Sequence, residues 1–294
     1  MPYHARRLGD GPIIEPGMDD RMGYNVNGPS LIRVPDWLPS PLGRYYLYFA
    51  HHDGRYIRLA VADRPEGPWR IHRPGVLPLA ASGFAGHIAS PDVHVDHETR
   101  RIRMYFHGSD SDTGGGAPQS TRVALSADGL DFEVLPDLLG EPYFRAFTHR
   151  GQHYALAMPG IVYRSPDGLR DFERGPTLFG ANMRHSAVRV EDDTLVVVYS
   201  NAGDCPEQLL ITTVDLAPDW QAWRALPPRS LLAPEHAWEG VDRPLVASVR
   251  GIAHEPVREL RDPALLEDDG RLLLLYAVAG EHGIALATLH RDEA

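Results

Sequence analysis

The sequence predicts an all-β chain folded as a five-bladed β-propeller with four-stranded antiparallel blades. Three observations carry this. An apolar, strand-like run recurs five times, at residues 45–49, 102–106, 154–158, 195–199 and 272–276. Each run has a candidate strand before it and another after it. Asp-Gly turns separate strands within the units and supply the positive φ that tight hairpins need. The steps between the ends of successive runs are 57, 52, 41 and 77 residues, which is blade-like spacing with one long insertion. A two-sheet sandwich also has many short strands, but it gives no reason for one unit to return five times.

The elements follow in order. First strands are expected at 29–34, 91–96, 145–149, 185–190 and 263–267. Third strands are expected at 56–62, 122–126, 161–164, 208–214 and 284–289. A fourth strand carries an aromatic in four units: Trp69, Phe132, Phe172 and Trp220. The last unit shows the pattern most clearly. Asp262-Pro263 opens its first strand, Asp268-Asp269-Gly270 turns it, and 272–278 is apolar on both faces, so both faces must be covered. No fourth strand follows it, and the N-terminal run Gly11–Glu15 is the candidate to close the ring. Ser126-Ala-Asp-Gly and Ser165-Pro-Asp-Gly are alike and read as structural turns, with Asp53-Gly54 a third. The run Gly114-Gly-Gly116 reads as a loop tip. Residues 1–294 thus form one domain, with 225–260 a long inter-blade loop over the active face.

Composition bounds the function. Hydrophobic residues make up 43% and charged residues 23%, as in an ordinary soluble globule. The formal charge of −11 disfavours nucleic acid and anionic membranes as partners. The single cysteine, Cys205, excludes an internal disulfide and fits a reducing cytoplasm. No signal-like or membrane-spanning apolar run occurs, and no zinc or phosphate-loop signature. No cofactor is called for, although a cation in the channel is compatible with the pattern.

Blade geometry narrows the search for a site. The starts of first strands, the ends of second strands and the long loop share one face. There the sequence gathers Asn27, Asp92, Arg145, His185, Arg261 and Asp262 from first strands. Second strands add His51-His52, His107, Asn201 and Glu281-His282. The loop adds Trp238 and Glu239. Polar groups converging on a concave axis are the default binding site.

The pattern over about residues 24–289 resembles the five-bladed propeller glycosidases: the family 43 glycoside hydrolases and relatives such as family 117. The residues that carry it are Ser90-Pro-Asp-Val-His-Val-Asp96 with Met104-Tyr-Phe106, Arg261-Asp-Pro-Ala264 with its Asp-Asp-Gly turn, and Asn27-Gly-Pro-Ser with Tyr45-Tyr-Leu-Tyr48. The resemblance implies an axial carboxylate set, because one side of the sugar must gain a proton while the other is attacked. Asp92 matches a middle-blade aspartate. The first blade departs from the pattern: Gly28-Pro29 stands where the family has Asp-Pro. The blade that usually brings a Glu-Gly-Pro acid opens Arg184-His185-Ser186 instead.

The expectation is therefore a glycoside-acting enzyme with a small carbohydrate as substrate and Asp92, Asp262, Glu239 and His185 as its catalytic set. Asp92 tunes or positions, Asp262 and Glu239 are the working carboxylates, and His185 assists or substitutes as acid. Asn27, His51, His107, Arg145, Asn201, Trp238, Arg261 and Glu281 are the expected substrate-binding residues. Two rivals stay open. One is a uronate-type sugar lyase using His and Arg; the other is a sugar-binding propeller without chemistry.

Overall fold

The chain was analysed as a computed structural model that describes residues 3–52, 54–111 and 118–292. The expected turn residue Asp53 and the run Gly114–Gly116 lie outside the described residues. The N-terminal strand is β1 (Tyr3–Leu8). Blade I holds β2 (Asn27–Arg33), β3 (Tyr45–Ala50), β4 (Tyr56–Ala62) and β5 (Arg70–Pro78). Blade II holds β6 (His87–Asp96), β7 (Arg101–Ser109), β8 (Gln119–Ser126) and β9 (Glu133–Val134). Blade III holds β10 (Arg145–His149), β11 (Gln152–Ala157), β12 (Ile161–Ser165) and β13 (Glu173–Thr177). Blade IV holds β14 (Met183–Glu191), β15 (Thr194–Asn201), β16 (Leu209–Asp215) and β17 (Arg229–Leu232). Blade V holds β18 (Arg261–Asp268), β19 (Arg271–Ala277) and β20 (Ile284–Arg291), and β1 is its outer strand. No α-helix occurs among the described residues. The all-β five-bladed propeller is as the repeat predicts.

The core is divided as a propeller requires. Five apolar clusters fill the five interfaces between neighbouring blades. Alternation along a strand decides which interface a side chain enters. Leu272, Leu274 and Tyr276 pack towards blade IV, whereas Leu273 and Leu275 pack towards blade I. This is why the strand is apolar at every position: each of its faces is an interior. Tyrosines add polar links between blades. Tyr48 donates to the Gly129 carbonyl at 2.9 Å and Tyr105 to the Gly168 carbonyl at 2.6 Å. Both acceptors belong to the Ser-x-Asp-Gly turns. In those turns Ser126 and Ser165 accept from the glycine amides, while Asp128 and Asp167 accept from the Leu130 and Leu169 amides.

The aromatics expected on fourth strands pack the blades from just outside them. Trp69, Phe132 and Phe172 precede β5, β9 and β13 by one residue, and Trp220 lies on a 3-10 turn before β17. The closing strand also differs in position from the expected run. Tyr3–Leu8 pairs antiparallel with β20, whereas Ile14 makes a single bridge to Ile284. Arg7 on this strand reaches Glu239, so ring closure includes a buried ion pair. Deleting residues 3–8 should lower the melting temperature by about 10 °C or more, because it uncovers the β20 edge and strands a buried carboxylate. An unchanged thermal melt would contradict this account of closure.

The first strands line the axis and pack on one another around it. Four carry the same irregularity. Two residues bulge against one partner residue at Gly28-Pro29, Ser90-Pro91, Arg184-His185 and Asp262-Pro263. A bulge kinks the strand and re-aims a side chain. Gly28, Ser90 and Asp262 adopt positive φ there, as does Tyr143 just before β10. The ring thus presents five equivalent positions at one level of the channel.

Candidate active site at the upper end of the channel

One of those five positions is closed to chemistry by packing. Gly28 has φ +56, and a Cβ on it would lie 2.7 Å from the Ser90 Cα. Blades I and II meet too closely there for any side chain. The Asp-Pro aspartate expected from the glycosidase pattern therefore has no room in this backbone. Gly28→Ala should cost about 2 kcal/mol or more in a denaturant melt, from positive φ and overpacking together. Unchanged stability would refute the close approach.

The other positions carry the site. Asp262 and His185 lie 3.0 Å apart, Oδ1 to Nδ1, and are 1% and 3% exposed. The contact is out of line for a hydrogen bond, and both Asp262 oxygens lack a hydrogen-bond partner among the described residues. A buried carboxylate in that state is costly, and functional sites are where such groups persist. Burial alone would raise the Asp262 pKa; the neighbouring His185 outweighs it and holds the carboxyl below its usual value. Burial pushes the His185 pKa below its usual value, against the pull of Asp262. Near neutral pH the pair is a carboxylate beside a neutral imidazole.

A second pair stands close by. His52 Nδ1 lies 3.1 Å from Glu281 Oε1. Glu281 is fully buried and accepts from Asn25 at 2.7 Å, Asn27 at 3.2 Å and the Ala253 amide at 3.2 Å. His52 first, then Arg261 and Asn25, hold its pKa well below the ordinary value in spite of burial. Burial opposes the charged form of His52, but Glu281 outweighs it and raises the His52 pKa. The two histidines are therefore driven in opposite directions. Both face His107, whose own pKa is pushed far down by burial and by the surrounding His87, Arg145, His52 and His185. Tyr143 roofs this cluster, its ring 4.1 Å from His107 and 4.9 Å from His185.

A buried ionic network supports the two pairs. Arg261 bonds Glu259 and lies 3.6 Å from Glu207 and 3.5 Å from Glu281; Arg184 lies 3.4 Å from Glu207. Ser200 donates to Glu207 at 2.7 Å. The same arginines hold the long loop: Arg184 donates to the Val249 carbonyl and Arg261 to that of Gly251. The loop thus reaches the axis with its second half, around residues 248–253, and not with the stretch near Glu239.

Several expected residues fall elsewhere. Glu239 is fully buried and locked by Arg7, Tyr276 and the amides of Glu235 and His236. Its partners sit on the outer strand of blade V and on β19, so it is a tie between elements and not a working carboxylate. Trp238 stacks on His236 beside it and does not stand over the axis. Asp92 lies one residue past its bulge, a level deeper than the two pairs, where it accepts from the Ala146 amide at 2.7 Å and His94 at 2.8 Å. Arg145 spans the channel at that level, bonded to the carbonyls of Ser90, Pro91, Phe144 and Ser186. With Arg145 and Arg261 so engaged, neither offers a fork to a substrate carboxylate. Asn201 bonds Asp204. His51 meets Tyr24 edge-on, while its neighbour His52 enters the site. Asn27, His107, His185, Asp262 and Glu281 are brought together as expected. Sequence reasoning missed Tyr143, because nothing in its local pattern announces a positive φ at a tyrosine.

Glu239→Gln should destabilise the fold by about 3 kcal/mol, since it takes from the Arg7 guanidinium its buried charge partner and leaves only the exposed Glu235, while turnover by the folded fraction stays unchanged. A variant that melts normally but loses activity would return Glu239 to the site.

Among the described residues no group of three His, Cys, Asp or Glu is placed to hold a metal. No protein-family model matches the chain. It is 34% identical over 299 residues to the uncharacterized protein R118 of Acanthamoeba polyphaga mimivirus, across 90% of this chain and 83% of that protein. This chain belongs to the family of R118. In architecture it has the fold of the family 43 glycoside hydrolases. A β-xylosidase/α-arabinofuranosidase of that family from a compost microbial metagenome superposes with a TM-score of 0.65 at 14% identity, covering 99% of this chain and 96% of that one. A family 43 enzyme from Xanthomonas citri gives 0.65 at 12%, over 98% and 92%. The α-L-arabinanase of Cellvibrio cellulosa gives 0.61 at 14%, over 91% and 93%. At these identities the likeness of this chain to the family 43 enzymes is one of fold.

Proposed function

We propose that the chain is a glycoside hydrolase acting on a small oligosaccharide or glycoconjugate through two histidine–carboxylate pairs at the axis. The supporting observation is the opposed bias of the two histidines. Groups whose surroundings push their pKa values apart divide into acid and base. His185, neutral beside the Asp262 carboxylate, is the base that activates water. His52, charged beside Glu281, is the acid that protonates the leaving oxygen. This reverses the expected role of His185: burial disfavours the imidazolium that an acid would need. The fold supports a glycoside as substrate, since the solved neighbours include a xylosidase and an arabinanase. The lyase reading weakens, because the arginines it requires are committed to carbonyls and carboxylates.

Mass spectrometry of an oligosaccharide panel incubated with the protein should show products summing to substrate plus one water. His185→Ala and His52→Ala should each lose at least about 100-fold in kcat/KM while keeping their melting temperature. Wild-type rates in either variant, or an unsaturated product, would overturn the proposal.

The pH profile follows from the directions of shift. The base must be deprotonated and its pKa is lowered, so the acidic limb should inflect below the ordinary histidine value of 6.5. The acid must be protonated and its pKa is raised, so the alkaline limb should inflect above 6.5. Glu281→Gln removes the anion that supports His52 and should move the alkaline limb to lower pH. An alkaline limb that stays in place would show that His52 is not the acid.

A further inference from the structure

A cluster of rings on the same face has no part in the proposed proton transfers. Tyr24 lies just before β2 and is 43% exposed. Three histidines surround its ring. His51 meets it edge-on at 5.5 Å, while His254 and His282 lie tilted to it at 6.1 Å and 6.4 Å. The Tyr24 hydroxyl lies 3.0 Å from His254 Nδ1, which fixes the direction of the ring. Three of these four residues are sequence neighbours of the second pair and its support: Tyr24 of Asn25, His51 of His52 and His282 of Glu281. The segment is also tied to that pair. The Val26 amide donates to the Glu281 carbonyl at 2.8 Å, and the Asn25 side chain donates to the Glu281 carboxylate at 2.7 Å. The cluster therefore stands where blades I and V meet, beside His52. His185 lies away from that boundary, on blade IV against Tyr143.

We propose that Tyr24 is a specificity-determining residue, whose ring is the platform for the leaving group of the substrate. That group is a six-membered ring with a flat apolar face, supplied by a second pyranose or by an aryl aglycone. Its place rests on the hydrolase reading: His52 protonates the leaving oxygen, so the leaving group lies on the His52 side of the site. The platform is suited to a flat ring for two reasons. Tyrosine offers a large amphipathic surface, and here its polar end is already engaged by His254, which leaves the ring to stack. The hydroxyl contact also orders the ring before anything binds, so little further side-chain freedom is lost on stacking. His254 and His282, tilted by 32° and 37°, widen the same floor. A methyl leaving group has no face to lay on it.

The test is calorimetric titration of three probes that share one glycone: methyl β-D-xylopyranoside, xylobiose and 4-nitrophenyl β-D-xylopyranoside. The titrations use the full chain carrying His185→Ala, so that the probes are not consumed. At least one ring-bearing probe should bind about tenfold or more tighter than the methyl glycoside. Preference for xylobiose identifies a sugar leaving group, and preference for the nitrophenyl glycoside an aryl one. Adding Tyr24→Ala should reduce the preferred probe to the level of the methyl glycoside. Adding Tyr24→Phe, which keeps the ring, should retain the preference to within about threefold. Equal binding of the three probes, no saturable binding up to about 20 mM, or a preference that survives Tyr24→Ala would overturn the proposal. So would a loss in Tyr24→Phe as full as in Tyr24→Ala, which would assign recognition to the hydroxyl and not to the ring. Hydrolysis by the wild type without any Tyr24-dependent preference would overturn the platform alone. A Tyr24-dependent preference with no hydrolysis across the oligosaccharide panel would support the platform and overturn the hydrolase reading.

Discussion

The structure of this site depends on how closely blades I and II approach. With Gly28 packed onto Ser90, the first-blade position of the ring is backbone only. A side chain cannot be restored there without prising two blades apart. The polar groups at that level come from the other side of the ring: Tyr143 of blade III, Arg184-His185 of blade IV and Asp262 of blade V. The His185–Asp262 pair stands on this half, whereas the second pair joins Glu281 of blade V to His52 just past the end of β3 in blade I. The same constraint orients the departure from the glycosidase pattern. The fold is kept throughout, but the carboxylate chemistry of its first blade has no place to stand.

Gathering this much charge at a buried axis needs compensation. Glu207, Glu259 and Glu281 surround Arg261, and Glu207 also meets Arg184. Buried ion pairs of this kind add little net stability, since desolvation offsets most of the attraction. Their value lies in position. Arg184 stands beside His185 and Arg261 beside Asp262 in sequence, so bracing the arginines fixes the backbone that aims the pair. The carbonyls of Val249 and Gly251 are held by the same guanidinium groups, which couples the long loop to the site.

The fold was legible because its signal is periodic. Each blade repeats the same apolar run, and the run is apolar on both faces because every blade is covered twice. The site was legible in part for the same reason. Residues at strand starts were placed on the right face, and Asp262, His185, His107 and Glu281 met there. Depth could not be read. Asp92 and Asp262 both neighbour a proline at a first-strand start, yet Asp262 occupies its bulge and Asp92 follows one. That difference sets them on opposite sides of Arg145. Glu239 was misplaced for a different reason. A loop of some thirty residues has no period, and its carboxylate found a cation on β1, which lies 232 positions away in sequence.

The central claim is that the two histidine–carboxylate pairs are held in opposite protonation states. Nitrogen-15 NMR titration of the imidazoles, assigned with His52→Gln and His185→Gln, measures this without any substrate. The account predicts that His52 titrates above 6.5 and His185 below it, so that one is charged and one neutral across the interval between. Titration of both on the same side of 6.5, or in the reverse order, would contradict it.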